Sequence, residues 1–262
     1  MTVACAPPSG SSFPAGNSTT TCVATDSRQR TDRCTFTVTV EIIPVLGATR
    51  FVAFGDSITE GKLANGDIAQ TPYPTGVRQM LTARYSAQTF VVFSEGGGGE
   101  TSAGGVTRLP GVLSADNPEV LLLFEGVNDL GTGDPSTIPP LISNLRTMVQ
   151  QAQGRGVRVF LATLLPEIPG AQRAGAAALI VPANDQIRPL AASLGATLVD
   201  LYQAFRGNES TLIGSDGLHP TELGYQTIAR TFFDAIRMRL ELPPNMTLTQ
   251  FNQAVGSAWR GD

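Results

Sequence analysis

The apolar positions of this 262-residue chain change their rhythm near residue 49. Before that point, the run Thr35-Phe36-Thr37-Val38-Thr39-Val40 alternates with a period of two, as a strand with one covered face should. The polar stretch 26–33 ahead of it is turn-like, so residues 1–41 predict strand, turn and strand, without room for a full sandwich. A piece of about 40 residues seldom folds without a staple. All three cysteines, Cys5, Cys22 and Cys34, lie within it. Residues 42–49, containing Pro44 and Gly47, predict a linker.

Beyond the linker, short apolar runs at 51–54, 90–93, 120–124, 157–165 and 197–201 predict buried strands. Longer segments with helical spacing follow them in turn, at 75–85, 104–113, 138–153, 174–194 and 220–240. Buried strands alternating with helices are the mark of βαβ units on a parallel sheet. Residues 50–241 therefore predict one three-layer α/β domain, flavodoxin-like, with five parallel strands in the order 2-1-3-4-5. The tail, 242–262, is broken by prolines and then places Phe251, Val255 and Trp259 four apart, which predicts a short surface helix.

Composition narrows the chemistry. The net charge of −4, from 18 basic and 22 acidic residues, comes without a basic cluster, so a nucleic-acid partner has no footprint. No apolar run approaches the roughly 18 residues that span a bilayer. One histidine and three scattered cysteines exclude zinc-finger, four-cysteine and multi-histidine metal sites, and no cofactor is expected. Any imidazole chemistry falls to His219.

In an open parallel sheet, ligands bind beyond the carboxyl ends of the strands. Those ends carry Gly55-Asp56-Ser57-Ile58-Thr59, then Gly96-Gly97-Gly98-Gly99-Glu100-Thr101, Glu125-Gly126-Val127-Asn128-Asp129 and Asp216-Gly217-Leu218-His219-Pro220. This is an inventory for acyl transfer. Ser57 needs a base to become a nucleophile, and His219 is the one available. Asp216, three residues earlier, can reach back to fix the imidazole tautomer. Pro220 suits the first position of a helix. Gly99, lacking a Cβ, can bring its N–H close to a substrate oxygen. With the Ser57 N–H and the Asn128 amide, it makes an oxyanion hole of three donors. Asp56 and Asp129 are expected to serve structure. The G-x-S-x-G elbow of α/β-hydrolases is absent, since Thr59 stands where its second glycine would be. A metal-dependent hydrolase would have only His219 and the scattered Asp56, Asp129 and Asp216.

These four blocks resemble the SGNH (GDSL-like) hydrolase family over about residues 49–241. The resemblance implies Ser57 as nucleophile, Gly99 and Asn128 with the Ser57 N–H as oxyanion donors, and Asp216 and His219 as acid and base. One departure is Ser94, where many members carry an asparagine that supports the loop. The implied activity is hydrolysis of carboxylic esters through an acyl-enzyme. Short connections without a lid-like insertion lean toward short acyl chains, including acetyl esters of carbohydrates. The competing expectation is a carbohydrate-binding or adhesion protein with a vestigial hydrolase domain.

Residues 1–41 resemble the C-terminal half of a hyalin-repeat (HYR) module, through Pro8-Ser9-Gly10-Ser11, Phe13-Pro14-Ala15-Gly16, Cys22-Val23-Ala24-Thr25-Asp26 and Cys34-Thr35-Phe36-Thr37-Val38-Thr39-Val40. That resemblance implies a Cys5–Cys22 disulfide and leaves Cys34 as an orphan thiol, its counterpart lying upstream. It also implies a secreted or extracytoplasmic protein with further modules ahead of it. Met1 is followed by no charged and apolar leader pattern, so it does not read as a signal peptide.

Overall fold

The computed structural model describes residues 1–243; the helix expected around Phe251 and Trp259 lies outside them. The chain divides into two compact units, Met1–Pro44 and the remainder from Val45 onward.

The first unit is an antiparallel meander of β1 (Thr2–Ala6), β2 (Gly16–Thr25) and β3 (Thr31–Val40). Three strands stand where the pattern predicted two. β1 escapes the pattern because all five of its residues are at least partly exposed, and no alternation marks it. Asp26 builds the β2–β3 turn, its Oδ1 accepting from the N–H groups of Arg28 (2.8 Å) and Arg30 (3.0 Å). Cys5 and Cys22 are register partners on neighbouring strands and are joined by a disulfide. Cys34, exposed and reduced, is in turn the register partner of Cys22 on β3.

The second unit holds a five-stranded parallel sheet. Its strands are β4 (Arg50–Gly55), β5 (Val91–Gly96), β6 (Val120–Phe124), β7 (Arg158–Ala162) and β8 (Thr197–Val199). The spatial order is β5-β4-β6-β7-β8, which counted within this unit is 2-1-3-4-5. β6 is buried at every residue and β4 at all but Arg50, as strands covered on both faces must be. Helices α2 (Tyr73–Arg84) and α8 (Glu222–Leu240) pack together. Helices α3 (Ser102–Asp116), α4 (Ile138–Gln153) and α5 (Ile180–Ser193) pack in succession. Right-handed crossovers and a reversal of direction after β5 place these two groups on opposite faces of the sheet. Three short helices, α1 (Ser57–Glu60), α6 (Leu201–Phe205) and α7 (Glu209–Leu212), lie on the connections.

Several boundaries differ from the pattern, each for a local reason. The linker is shorter than 42–49, because Leu46 and Ala48 are fully buried and Leu46 bridges to Glu241. Leu242 is likewise no part of a tail, its N–H donating to the Val45 carbonyl at 2.8 Å. Helix α5 starts at Ile180 instead of 174, since Gly175 lies so close to the Gly131 carbonyl that a Cβ there would sit 2.2 Å from it. Pro220 is not the first residue of α8. It bridges to Ile213, and Thr221 caps the helix by accepting from the Gly224 N–H at 3.1 Å.

Candidate active site

β4 ends at Gly55, where neighbouring backbone leaves no space for a side chain: a Cβ there would meet the Phe124 carbonyl at 1.9 Å. The strand thus delivers Asp56 and Ser57 directly onto the sheet rim. Asp56 caps α1, accepting from the Ile58 N–H at 2.8 Å, the structural task expected of it. Ser57 is the first residue of that helix and is 8 % exposed.

His219 reaches the rim from a closed turn. The Gly214 N–H donates to the His219 carbonyl at 2.7 Å, and the Thr221 N–H to the Leu212 carbonyl at 2.9 Å, so both ends of the turn are clamped. This turn does not follow β8 directly, as the strand pattern suggested; α6 and α7 intervene. Within it, Asp216 Oδ1 accepts from the N–H groups of Leu218 (3.1 Å) and His219 (3.0 Å). Asp216 Oδ2 lies 2.6 Å from His219 Nδ1, and His219 Nε2 lies 3.0 Å from Ser57 Oγ. Ser57, His219 and Asp216, separated by up to 162 positions, are thus linked in one buried hydrogen-bonded chain. Burial alone would raise the Asp216 carboxyl, but the bonds from His219 and the two backbone N–H groups outweigh it and hold the group below the usual carboxylate range.

Gly99 and Asn128 line the same cleft of about 290 Å³ as Ser57 and His219. Gly99 has φ +75°, a backbone state that side chains disfavour. Neither the Gly99 N–H nor the Ser57 N–H finds a protein acceptor among the described residues. The Asn128 amide donates one hydrogen to the Glu100 carbonyl at 2.8 Å, which fixes its plane and leaves the second free. Asp129 anchors this turn by accepting from both the N–H and hydroxyl of Ser102, at 2.8 and 2.5 Å. At Ser94, the hydroxyl donates to the Thr59 carbonyl at 3.3 Å, so serine still ties β5 to the turn that carries Ser57.

Two supporting groups were not legible in the sequence. Arg108, on α3, donates to the carbonyls of Gly55 (3.2 Å) and Glu95 (3.1 Å) and to the Glu100 carboxylate, while stacking 4.0 Å over Phe54. It knits together the loops that carry Ser57 and Gly99. Glu125 stands immediately after β6, as Asp56 stands after β4, and those strands are in register through Gly55 and Phe124. Both Glu125 oxygens are buried without a partner among the described residues. Burial, reinforced by the charges of Asp56, Glu100 and Asp129, pushes Glu125 up to about 10. Asp56 is pushed up to about 7, chiefly by burial. The only trace Glu125 leaves in the sequence is a charged residue inside an apolar strand-to-turn junction.

Among the described residues no group of three or more potential ligands is arranged to hold a metal ion, and no helix is long and apolar enough to cross a membrane.

Comparison with known proteins agrees with this geometry. Residues 1–40 match the HYR domain. Esterase TesA from Pseudomonas aeruginosa is 32 % identical over 124 residues, which span 47 % of this chain and 57 % of that protein. Among solved structures, a lipase/acylhydrolase from Enterococcus faecalis superposes with a TM-score of 0.64 at 23 % identity, over 76 % of this chain and all of the other. Axe2, an acetylxylan esterase from Geobacillus stearothermophilus, gives 0.61 at 21 % identity, over 73 % and 95 %. These two likenesses establish the fold. The family itself is set by the match of residues 53–227, two thirds of the sequence, so the chain belongs to the GDSL-like Lipase/Acylhydrolase family.

Proposed function

We propose that this protein is a serine esterase that removes small acyl groups, acetyl foremost, from carbohydrate esters through an acyl-enzyme. The observation that carries the reading is the buried chain from Ser57 Oγ through His219 to Asp216, opening on a cleft with unused N–H donors.

Each atom has a task. Ser57 Oγ attacks the ester carbonyl as its proton passes to His219 Nε2. Asp216 keeps Nδ1 protonated and stabilises the imidazolium that forms. The N–H groups of Ser57 and Gly99 and the free Asn128 amide hydrogen receive the developing oxyanion, interactions that strengthen only as charge builds. His219 then returns its proton to the departing alcohol. It next activates water to release the acid and restore Ser57. An intact triad with positioned donors favours turnover over a vestigial site that only binds glycan.

The cleft volume suits a short acyl chain, and acetylxylan esterase activity in a protein of the same fold points to the same substrate class. The disulfide is compatible with an oxidising, extracytoplasmic compartment. A series of p-nitrophenyl esters from acetate to decanoate, run beside acetylated xylan, tests the reading. The expected result is highest kcat/KM at acetate, with acetate released from xylan. A maximum at eight carbons or more would overturn the short-chain assignment, and failure to cleave any ester would overturn the activity.

A further inference from the structure

The chain as a whole carries more acid than base, yet no aspartate or glutamate lines the catalytic cleft. Its charged lining consists of Lys62 and Arg173, beside His219. The two cations differ in how far they are already satisfied. Lys62 Nζ lies 3.3 Å from Glu60, so its charge is shared. Arg173 is held by its backbone and free at its head. Its N–H donates to the Asp216 carbonyl at 2.8 Å, and nearby the Ile168 N–H donates to the Gly217 carbonyl at 2.9 Å, tying this loop to the turn that bears His219. The guanidinium makes no hydrogen bond among the described residues. The nearest carboxylate oxygen, Asp216 Oδ2, is 3.9 Å away and already engaged by His219 Nδ1.

Three other arginines of this unit are engaged by carboxylates. Arg84, Arg108 and Arg188 each donate to a carboxylate, on Glu241, Glu100 and Asp200 respectively, at 2.5–2.9 Å. Arg173 has instead a side chain 60 % exposed, at the cleft wall. A planar guanidinium carried on a backbone anchored beside the reacting atoms, with its donors unspent, matches a ligand carboxylate bidentately.

Resting on the esterase reading above, we propose that Arg173 is a specificity residue that binds an anionic group of the substrate. Because the acyl group is small, the anion lies on the alcohol side. The preferred substrate is therefore an acetylated acidic carbohydrate, a sugar carrying a uronate-type carboxylate near the ester. Lys62 adds a more diffuse attraction from the same cleft.

Matched substrates test this: 4-acetoxybenzoate against its methyl ester, and acetylated oligogalacturonate against acetylated xylo-oligosaccharide. In the parent protein the anionic member of each pair should have the higher kcat/KM, and 0.5 M salt should erode that advantage. Arg173→Gln should lower the anionic-to-neutral ratio about tenfold, mainly through KM, and Arg173→Lys should restore part of it. Taking the ratio cancels any effect of the substitution on Asp216 that both substrates share. A ratio unmoved by Arg173→Gln would overturn the assignment while leaving the esterase reading intact. If no ester is cleaved, that reading fails by itself. Calorimetric binding of oligogalacturonate to the Ser57→Ala protein, with and without Arg173→Gln, then still decides the anion site: equal affinities refute it.

Discussion

The N-terminal sheet and the α/β unit show two ways of holding strands together. In residues 1–44 only Thr20 and Cys22 are buried, and Phe36 remains 51 % exposed. Alternation in β3 predicted a covered face, but three strands alone cannot cover either side, and hydrogen bonds plus one disulfide carry the meander. In the α/β unit, helices cover both faces of the sheet, and the interiors of the three central strands, β4, β6 and β7, are buried. The lesson concerns precision. A covered sheet fixes its strand ends firmly enough to set Ser57, Gly99 and Asn128 on one rim to hydrogen-bond accuracy, whereas a stapled sheet presents surface.

The sharpest way to separate chemistry from scaffold is Ser57→Ala. It should cut kcat for p-nitrophenyl acetate by at least about 10⁴-fold without moving the melting temperature, because α1 keeps its Asp56 cap. His219→Ala should lower kcat to the same extent, since the chain has no second histidine to take over. Appreciable turnover in either variant would remove the triad assignment. Next in size is Asn128→Ala, expected to lower kcat by about 10²–10³-fold; a loss confined to KM would mean that Asn128 binds substrate without stabilising the oxyanion.

Reducing the Cys5–Cys22 bond probes the other region. It should destabilise the meander by roughly 2–4 kcal/mol, seen as faster amide exchange in β1 and β2. Ester hydrolysis should persist. Equal loosening of β4 and β6 would contradict the contrast between the units.

Glu125→Gln replaces the protonated acid by a group of the same shape, so its signature lies in the pH dependence of stability. In the folded protein Glu125 keeps its proton up to about 10, while in the unfolded chain it titrates near its ordinary 4.5. Between those values the folded state binds the extra proton, so the acid's contribution to stability falls as pH rises. Glutamine does not titrate. The variant's melting temperature should therefore match the parent near pH 4 and exceed it increasingly toward pH 9. A difference that stays flat across that range would show that Glu125 is charged in the fold.

Much of this protein was written locally in its sequence. The parallel sheet announced itself because strands covered on both faces must be continuously apolar, as Val120 to Phe124 are. The four rim motifs were legible because their geometry is short-range: Asp56 caps its own helix, and Asp216 reaches back only three residues to His219. The boundaries of α5 and of the linker were not, since Gly175 against Gly131 and Leu46 against Glu241 are contacts between distant segments. The same holds for the supports. Arg108 gathers β4, β5 and the glycine loop, Glu125 becomes anomalous only when Asp56, Glu100 and Asp129 surround it, and Arg173 comes within 3.9 Å of Asp216, its hydrogen-bond donors unspent, only once its loop lies on the histidine turn. Periodicity and turn chemistry reach over a few residues, so the sequence determined the sheet and the candidate residues at its rim. Burial and charge sum over whatever the chain brings together, so the state of the acids and the free cation in the cleft were decided by the tertiary structure.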